Sequence, residues 1–281
     1  QELSPKNYEI TRQYKDRFYF HQYTLKYYTI LLYNMRDPLF ADPRVRRALT
    51  HAIDRDYIVQ TILKGQGKVA VGPMGVDSPF HDPDLPPFAY DPEKALALMA
   101  RAGWVRRGGG HRLEKDGLSF EFTLLVFRES QVEKKVARYI KLCLNEIGVN
   151  LRVQALAYDE IVDRYYQSNR FQAVLTEFPG AYDYPEQMIK GWLPDDQGRT
   201  MAGNFQDDQA TRWLTRALEA EGPDRRAEYL RRAEARIWHV QPGTLLFHKT
   251  ALDIMSRRFV LPGDFDLFHG GIYRLRNARL R

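Results

Sequence analysis

Asp183 is the residue of this chain whose setting most invites chemistry. It lies in "FPGAYDYPEQMIKGW", residues 178–192, between Tyr182 and Tyr184, with Pro179-Gly180 before it and Pro185 after it. Two readings stand side by side. Pro, Gly and Asp punctuate turns, so the acid can simply close one. A carboxylate between two aromatic rings can also be a polar anchor in an aromatic-lined cleft, with tyrosines supplying apolar faces and hydroxyl tips.

Constellations for catalysis are missing. The histidines at 21, 51, 81, 111, 239, 248 and 269 include no pair at helical metal spacing and no His-Glu-x-x-His. No Gly-x-Ser-x-Gly elbow occurs. Cys143, the single cysteine, sits among apolar helical positions in "YIKLCLNEIG" and reads as a small core residue. "GQGKVAVG" is not a phosphate loop, because Lys68 precedes Val69 rather than Ser or Thr and the glycines follow a helix. Carboxylates are plentiful, so a glycosidase-like pair stays open, but nothing singles one out. No cofactor, metal or catalytic residue is expected.

The elements that must position Asp183 follow from periodicity. "FQAVLTEF", ending at Phe178, reads as a strand. From Phe120 onward the pattern is strand, helix, strand, helix, strand: "FEFTLLVF", "SQVEKKVARYIKLCLNEIG", "VNLRVQAL", "YDEIVDRYYQS", then "FQAVLTEF". Such alternation predicts an α/β lobe with a partly parallel sheet. Ligands of such sheets bind beyond the carboxyl ends of strands, which is where "FPGAYDYP" lies. That shifts the weight for Asp183 toward function.

Earlier in the chain, "YYTILLYNM" reads as a strand and "FADPRVRRALTHAIDRDYIVQTILKG" as one long helix. Asp42 caps it, Pro43 opens it and Gly65 follows its end. Arg44, Arg46, Arg47, Asp54 and Arg55 on its polar side are expected to form surface or intra-lobe ion pairs. A Pro/Gly-dense loop follows, then a helix capped by Asp91 and a hairpin around Asp116-Gly117. Helices "DDQATRWLTRALEAEG" and "PDRRAEYLRRAEARIWHV", the strand "GTLLFHK" and an irregular aromatic tail complete the chain.

Composition sets the bounds. A chain of 281 residues can bury a large core as one big domain or two smaller ones. Its net charge of +6 is dispersed, with Arg and Glu interleaved as in "RRAEYLRRAEAR", which is a solvated surface rather than a nucleic-acid stripe. One cysteine excludes an internal disulfide. No apolar run approaches the ~20 residues of a membrane span. "QELSPKNYEITRQYKDRF" lacks the apolar core of a signal peptide, which leaves a cytoplasmic chain, a mature form or part of something longer.

Several segments together resemble family 5 extracellular solute-binding proteins, the peptide- and nickel-type receptors of ABC importers. They are "YNMRDPLFADPRVRRALTHAIDRDYIV", "AYDPEKALALMARAGW", "KLCLNEIGVNLRVQAL" and "AYDYPEQ", with "GNFQDDQATRWLTRAL" and "DRRAEYLRRAEARIWHVQPGTLLFHK" following in order. The resemblance implies a periplasmic-binding-protein-like lobe of the class II type, α/β, with a mixed sheet flanked by helices and short segments of a partner lobe. It implies three parts: residues 1–33 belonging to or hinging toward a missing lobe, 34–245 as the main ligand-binding lobe, and 246–281 returning to the missing lobe. It also implies closure of two lobes over a ligand.

In peptide-binding members, the acid matching Asp183 pairs with the ligand's α-amino group, and Tyr182 and Tyr184 stand either in the cleft or packed in the lobe. Members often carry tryptophan three residues before that acid, where this sequence has Gly180. Asn204, in "AGNFQDD", occupies a segment that approaches the cleft in relatives; a helix-entry loop is the other reading. The implied partners are a peptide or other small solute, an ABC permease and the missing N-terminal lobe. The implied location is periplasmic or extracellular, with a lipoprotein anchor in the full-length form. The same fold also serves as the sensor of some transcription regulators, the second reading; a hydrolase on an α/β lobe is the third.

Overall fold

The structure, a computed structural model, describes residues 13–182, 185–260 and 279–280, with residues 21, 252–255, 259–260 and 279–280 described by their backbone alone. The strands are β1 (Phe18–Tyr33), β2 (Gly67–Val69), β3 (Val105–Arg106), β4 (Leu113–Lys115), β5 (Leu118–Ser119), β6 (Glu121–Phe127), β7 (Asn150–Leu156), β8 (Ala173–Pro179), β9 (Gly243–Ser256), β10 (Phe259–Val260) and β11 (Arg279–Leu280). The helices are α1 (Pro43–His51), α2 (Arg55–Tyr57), α3 (Pro92–Arg101), α4 (Gln131–Glu146), α5 (Tyr158–Ile161), α6 (Pro185–Trp192), α7 (Asp208–Glu219) and α8 (Pro223–Val240).

A six-stranded mixed sheet in the order β2-β9-β1-β8-β6-β7 forms the centre. β6 runs parallel to both β7 and β8, as the strand–helix alternation predicts, while β1 is antiparallel to β8 and β9. β1 explains the sheet's burial. Leu31 and Tyr33 project into the core beneath α1, α3 and α4, and Tyr28, Ile30 and Leu32 into the core beneath α6, α7 and α8. All five are fully buried, as befits a strand covered on both faces.

β1 also leaves the sheet. Tyr28–Leu32 pair with His248–Gly243, then the register breaks between Thr24 and Tyr28, and Phe18–Thr24 pair only with Ser256–Thr250. The result is a two-stranded ribbon that departs from the carboxyl end of β8, since Tyr27 lies opposite Pro179. Tyr28–Tyr33 and Leu246–His248 are buried within the sheet, and the ribbon starts farther out along both strands.

Helix ends follow side-chain caps. Asp42 and Asp91 accept from the backbone N–H groups of Arg44 and Lys94, with Pro43 and Pro92 at the first helical positions. The long helix expected over 42–65 is broken, because Asp54 accepts from the N–H of Tyr57 and starts a new turn that runs into a single π-helical turn, Ile58–Ile62. The hairpin at Asp116-Gly117 joins β4 to β5 with both residues at positive φ (51° and 79°).

The arginines of the first helix are a correction. Arg44 pairs with Asp42 at 2.6 Å as expected. Arg46 is 2% exposed and meets no carboxylate; it donates to the carbonyls of Phe40, Ala41, Val240 and Gln241. Arg47 donates to the carbonyl of His239 and Arg55 to those of Ala70, Leu245 and Phe88. A guanidinium offers five donors, so one side chain can serve several carbonyls at a helix end, where the dipole favours a cation. Burial lowers the Arg46 pKa to about 10.

Glu234, on α8, is a buried acid. Its side chain is fully enclosed, and it accepts from the backbone N–H of Met74 (3.3 Å) and Asp82 (2.7 Å) and from His81 Nδ1 (3.0 Å). The Pro/Gly-dense loop is thereby stapled to α8. Gly72 is required there, because a Cβ would overlap the Glu234 side chain. Burial raises the Glu234 carboxyl, and the hydrogen bond to Glu234 raises the His81 imidazole.

Two expectations follow. Arg46→Ala strands buried carbonyls and costs about 3 kcal/mol of unfolding free energy in a urea titration, whereas Arg44→Ala moves the midpoint far less. His81 and Glu234 both have pKa values raised in the folded state, so the fold holds their protons more tightly than the unfolded chain does. The His81 part of the contribution is complete below the ordinary imidazole value of about 6.5 and is lost as pH rises through the raised His81 value, whereas the Glu234 part is complete only below the ordinary carboxyl value of 4.5. The urea midpoint of the parent should fall more than that of His81→Gln between about pH 6 and about pH 9.

Candidate functional site

At the carboxyl end of β8 the chain turns sharply, and the turn is held from two sides. Gly180 N–H donates to the carbonyl of Lys26 at 2.7 Å, extending the ladder with β1 by one rung. Ala181 N–H donates to the carbonyl of Met74 at 2.8 Å, and the Ser78 hydroxyl donates to the carbonyl of Ala181. The loop stapled by Glu234 is thus the wall against which residues 180–182 rest.

Gly180 is buried, and its place leaves no room for a side chain. A Cβ there would lie 2.8 Å from the Tyr182 ring and 2.9 Å from the Met74 carbonyl oxygen. Tyr182 folds back over Gly180 and Gly75, so its ring fills the space beside the strand end. Its hydroxyl is buried close to Asp77, and burial pushes its pKa up to about 12. Asp183 and Tyr184 lie outside the described residues.

A polar cluster surrounds this strand end. Asp77, in the same stapled loop, accepts from Lys68 Nζ at 2.8 Å on both oxygens and from the Thr24 hydroxyl at 2.5 Å. Partial burial works against the charge, yet those hydrogen bonds hold the Asp77 pKa below the usual carboxylate range. The cluster ties β2, the loop and the first residue of the ribbon together. On the opposite face of the sheet, Lys249 Nζ pairs with Glu177 Oε1 at 2.6 Å. Glu133, in the first turn of α4, accepts from the Phe127 N–H at 3.0 Å, and burial raises its carboxyl to about 7.

Asn204 belongs elsewhere. Its amide donates to Asn34 Oδ1 (3.0 Å) and Asn169 Oδ1 (2.7 Å), and its backbone is left-handed at φ 61°. Asn34 follows Tyr33, which lies opposite Ala173 at the start of β8. Asn204 and Gly180 therefore stand at opposite ends of one seven-residue strand. Of the expected site residues, the fold brings Gly180 and Tyr182 together and separates Asn204 from both.

Sequence reasoning missed Asp77, Lys68, Glu133, Glu177 and Lys249. Glu177 carried one usable signal, as the lone acid two residues before the strand-ending Pro179. The rest are joined only by long-range contacts. Among the described residues, no group of three or more His, Cys, Asp or Glu is placed to hold a metal ion, and no helix is long and apolar enough to cross a membrane.

Comparisons with known proteins agree with this architecture. The profile described as "Bacterial extracellular solute-binding proteins, family 5 Middle" matches residues 2–199. The oligopeptide-binding protein AppA of Bacillus subtilis is 34% identical over 175 residues, 58% of this chain and 32% of AppA. The structure of AppA in complex with a nonapeptide superposes with a TM-score of 0.77 at 22% identity, over 100% of this chain and 55% of that one. HbpA2 of Haemophilus parasuis superposes with a TM-score of 0.83 at 20% identity, over 99% of this chain and 53% of that one. The chain thus spans about half the length of those two solved structures. With its profile match covering most of the sequence, the chain belongs to the family 5 extracellular solute-binding proteins.

Proposed function

We propose that this chain is a large lobe of the substrate-binding component of an ABC importer, one that captures a peptide or similar small solute between itself and a partner lobe. The observation that carries the proposal is the coincidence, at one end of the sheet, of the strand-end segment 180–182 and the departing β1–β9 ribbon. A ligand lying on that end would be covered by whatever the ribbon leads to, and two adjacent strands are a natural hinge. Relatives bearing the names oligopeptide-binding, dipeptide-binding and nickel-binding protein support a small-solute cargo.

Asp183 is the anchor in this reading. A carboxylate withdrawn from water at the strand end needs a cationic partner, and the α-amino group of a peptide supplies one. Tyr182 packs against the strand end, and Tyr184 follows Asp183 in sequence. The function is binding and delivery, without catalysis, in the periplasm or at the cell exterior and in partnership with a membrane permease.

Calorimetry on the full-length receptor tests the anchor, using a free-amine peptide and its N-acetylated counterpart. Asp183→Ala should weaken the free-amine peptide about 30-fold or more and erase its advantage over the acetylated one. Unchanged affinity in the variant would overturn the role.

A further inference from the structure

The end of the sheet remote from that site contains a cavity of about 450 Å³, within the range of about 300–1,000 Å³ usual for small-ligand pockets. It opens between the helical turn after α5, the carboxyl end of α6 and the loop 193–204. The start of β8 adjoins it, and Gly180, at the other end of that strand, is not among its lining residues.

Its walls are aromatic. Tyr165 lies 4.2 Å from Tyr166 and 5.1 Å edge-on from Phe171, centroid to centroid, and all three line the space. The lining also contains a polar group with nothing to bond. Thr200 is 8% exposed, and its hydroxyl is buried without a hydrogen-bond partner. A buried hydroxyl left unmatched costs stability, and a turn of the Thr200 side chain into the adjoining cavity would let a ligand supply the missing partner.

The adjoining backbone is fixed in an uncommon shape. Asn169 and Asn204 are both left-handed, at φ 54° and 61°, and are joined through the Asn204 amide. Asn204 N–H in turn donates to the carbonyl of Thr200 at 3.4 Å. Such backbone is retained where surroundings determine it, and it gathers at ligand clamps.

Charge decides the class of ligand. The two other charged residues lining the cavity neutralise each other, Arg199 pairing with Asp195 at 3.0 Å. Lys190, exposed at the end of α6, also lines the cavity, and no carboxylate lies within ion-pairing distance of it among the described residues. One ammonium, three rings and one unmatched hydroxyl suit a small aromatic monoanion. We propose that this cavity is a second ligand site, separate from the strand-end site, for a small aromatic carboxylate.

The test is fluorine NMR of 4-fluorobenzoate titrated with the protein, with 4-fluorobenzyl alcohol as the uncharged counterpart. The carboxylate should show saturable broadening that Thr200→Val and Lys190→Gln each weaken about tenfold, while Lys190→Gln leaves the alcohol unaffected. Thr200→Val removes an unmatched hydroxyl at nearly constant volume, so its thermal midpoint should not fall, which separates lost binding from lost folding. Absence of saturable broadening at millimolar probe, or equal broadening in parent and both variants, overturns the proposal.

Discussion

The wall beside the end of β8 depends on one buried carboxylate. Glu234 is enclosed on an otherwise apolar helix face, where an unmatched negative charge would be intolerable. Its three donors, Met74 N–H, Asp82 N–H and His81, all come from one loop. That loop is rich in Pro and Gly and has little regular structure of its own, so this ion gives it a fixed course. The Met74 carbonyl can then receive Ala181 N–H, and the turn after β8 has a fixed wall. A residue near the end of the chain thus sets the geometry of a strand end more than fifty positions earlier in sequence.

α8 bears several such duties. Arg46 and Arg47 bind the carbonyls at its carboxyl end, Glu234 holds the loop near its middle, and Arg236 pairs with Asp207, the cap of α7, at 2.7 Å. Charges of this kind are placed against dipoles and backbone groups more than against one another. An exposed ion pair adds little, whereas a buried ion that satisfies several backbone groups fixes the relative position of the segments that own them.

What the sequence revealed, and what it concealed, divides along contact range. The parallel order of β6, β7 and β8, the caps Asp42 and Asp91, and the hairpin at Asp116-Gly117 are local patterns and were readable. The break at Asp54 was hidden because the apolar stripe runs through it. Arg46, Arg55 and Glu234 looked like exposed charges because their partners, carbonyls and N–H groups, leave no trace in residue type. Asn204 was grouped with Asp183 by resemblance, and only the register of β1 against β8 separates the two ends. The family was legible because its motifs are long and ordered. The site's electrostatic surroundings were not, since Asp77, Lys68 and Thr24 meet only through the fold.

The position of β1 has a consequence for the life of the nascent chain. The innermost part of this strand takes both of its neighbours from segments made much later than itself: Leu31 lies opposite Leu175 on one side and Thr244 on the other. Until β8 has been synthesised this apolar strand has both edges unsatisfied, and until β9 follows it still has one, a species prone to wrong pairing. Sheets that close through such distant partners assemble slowly, because chain entropy is spent before contacts repay it. The central strand of this lobe therefore keeps an edge open to wrong pairing until β9 is made.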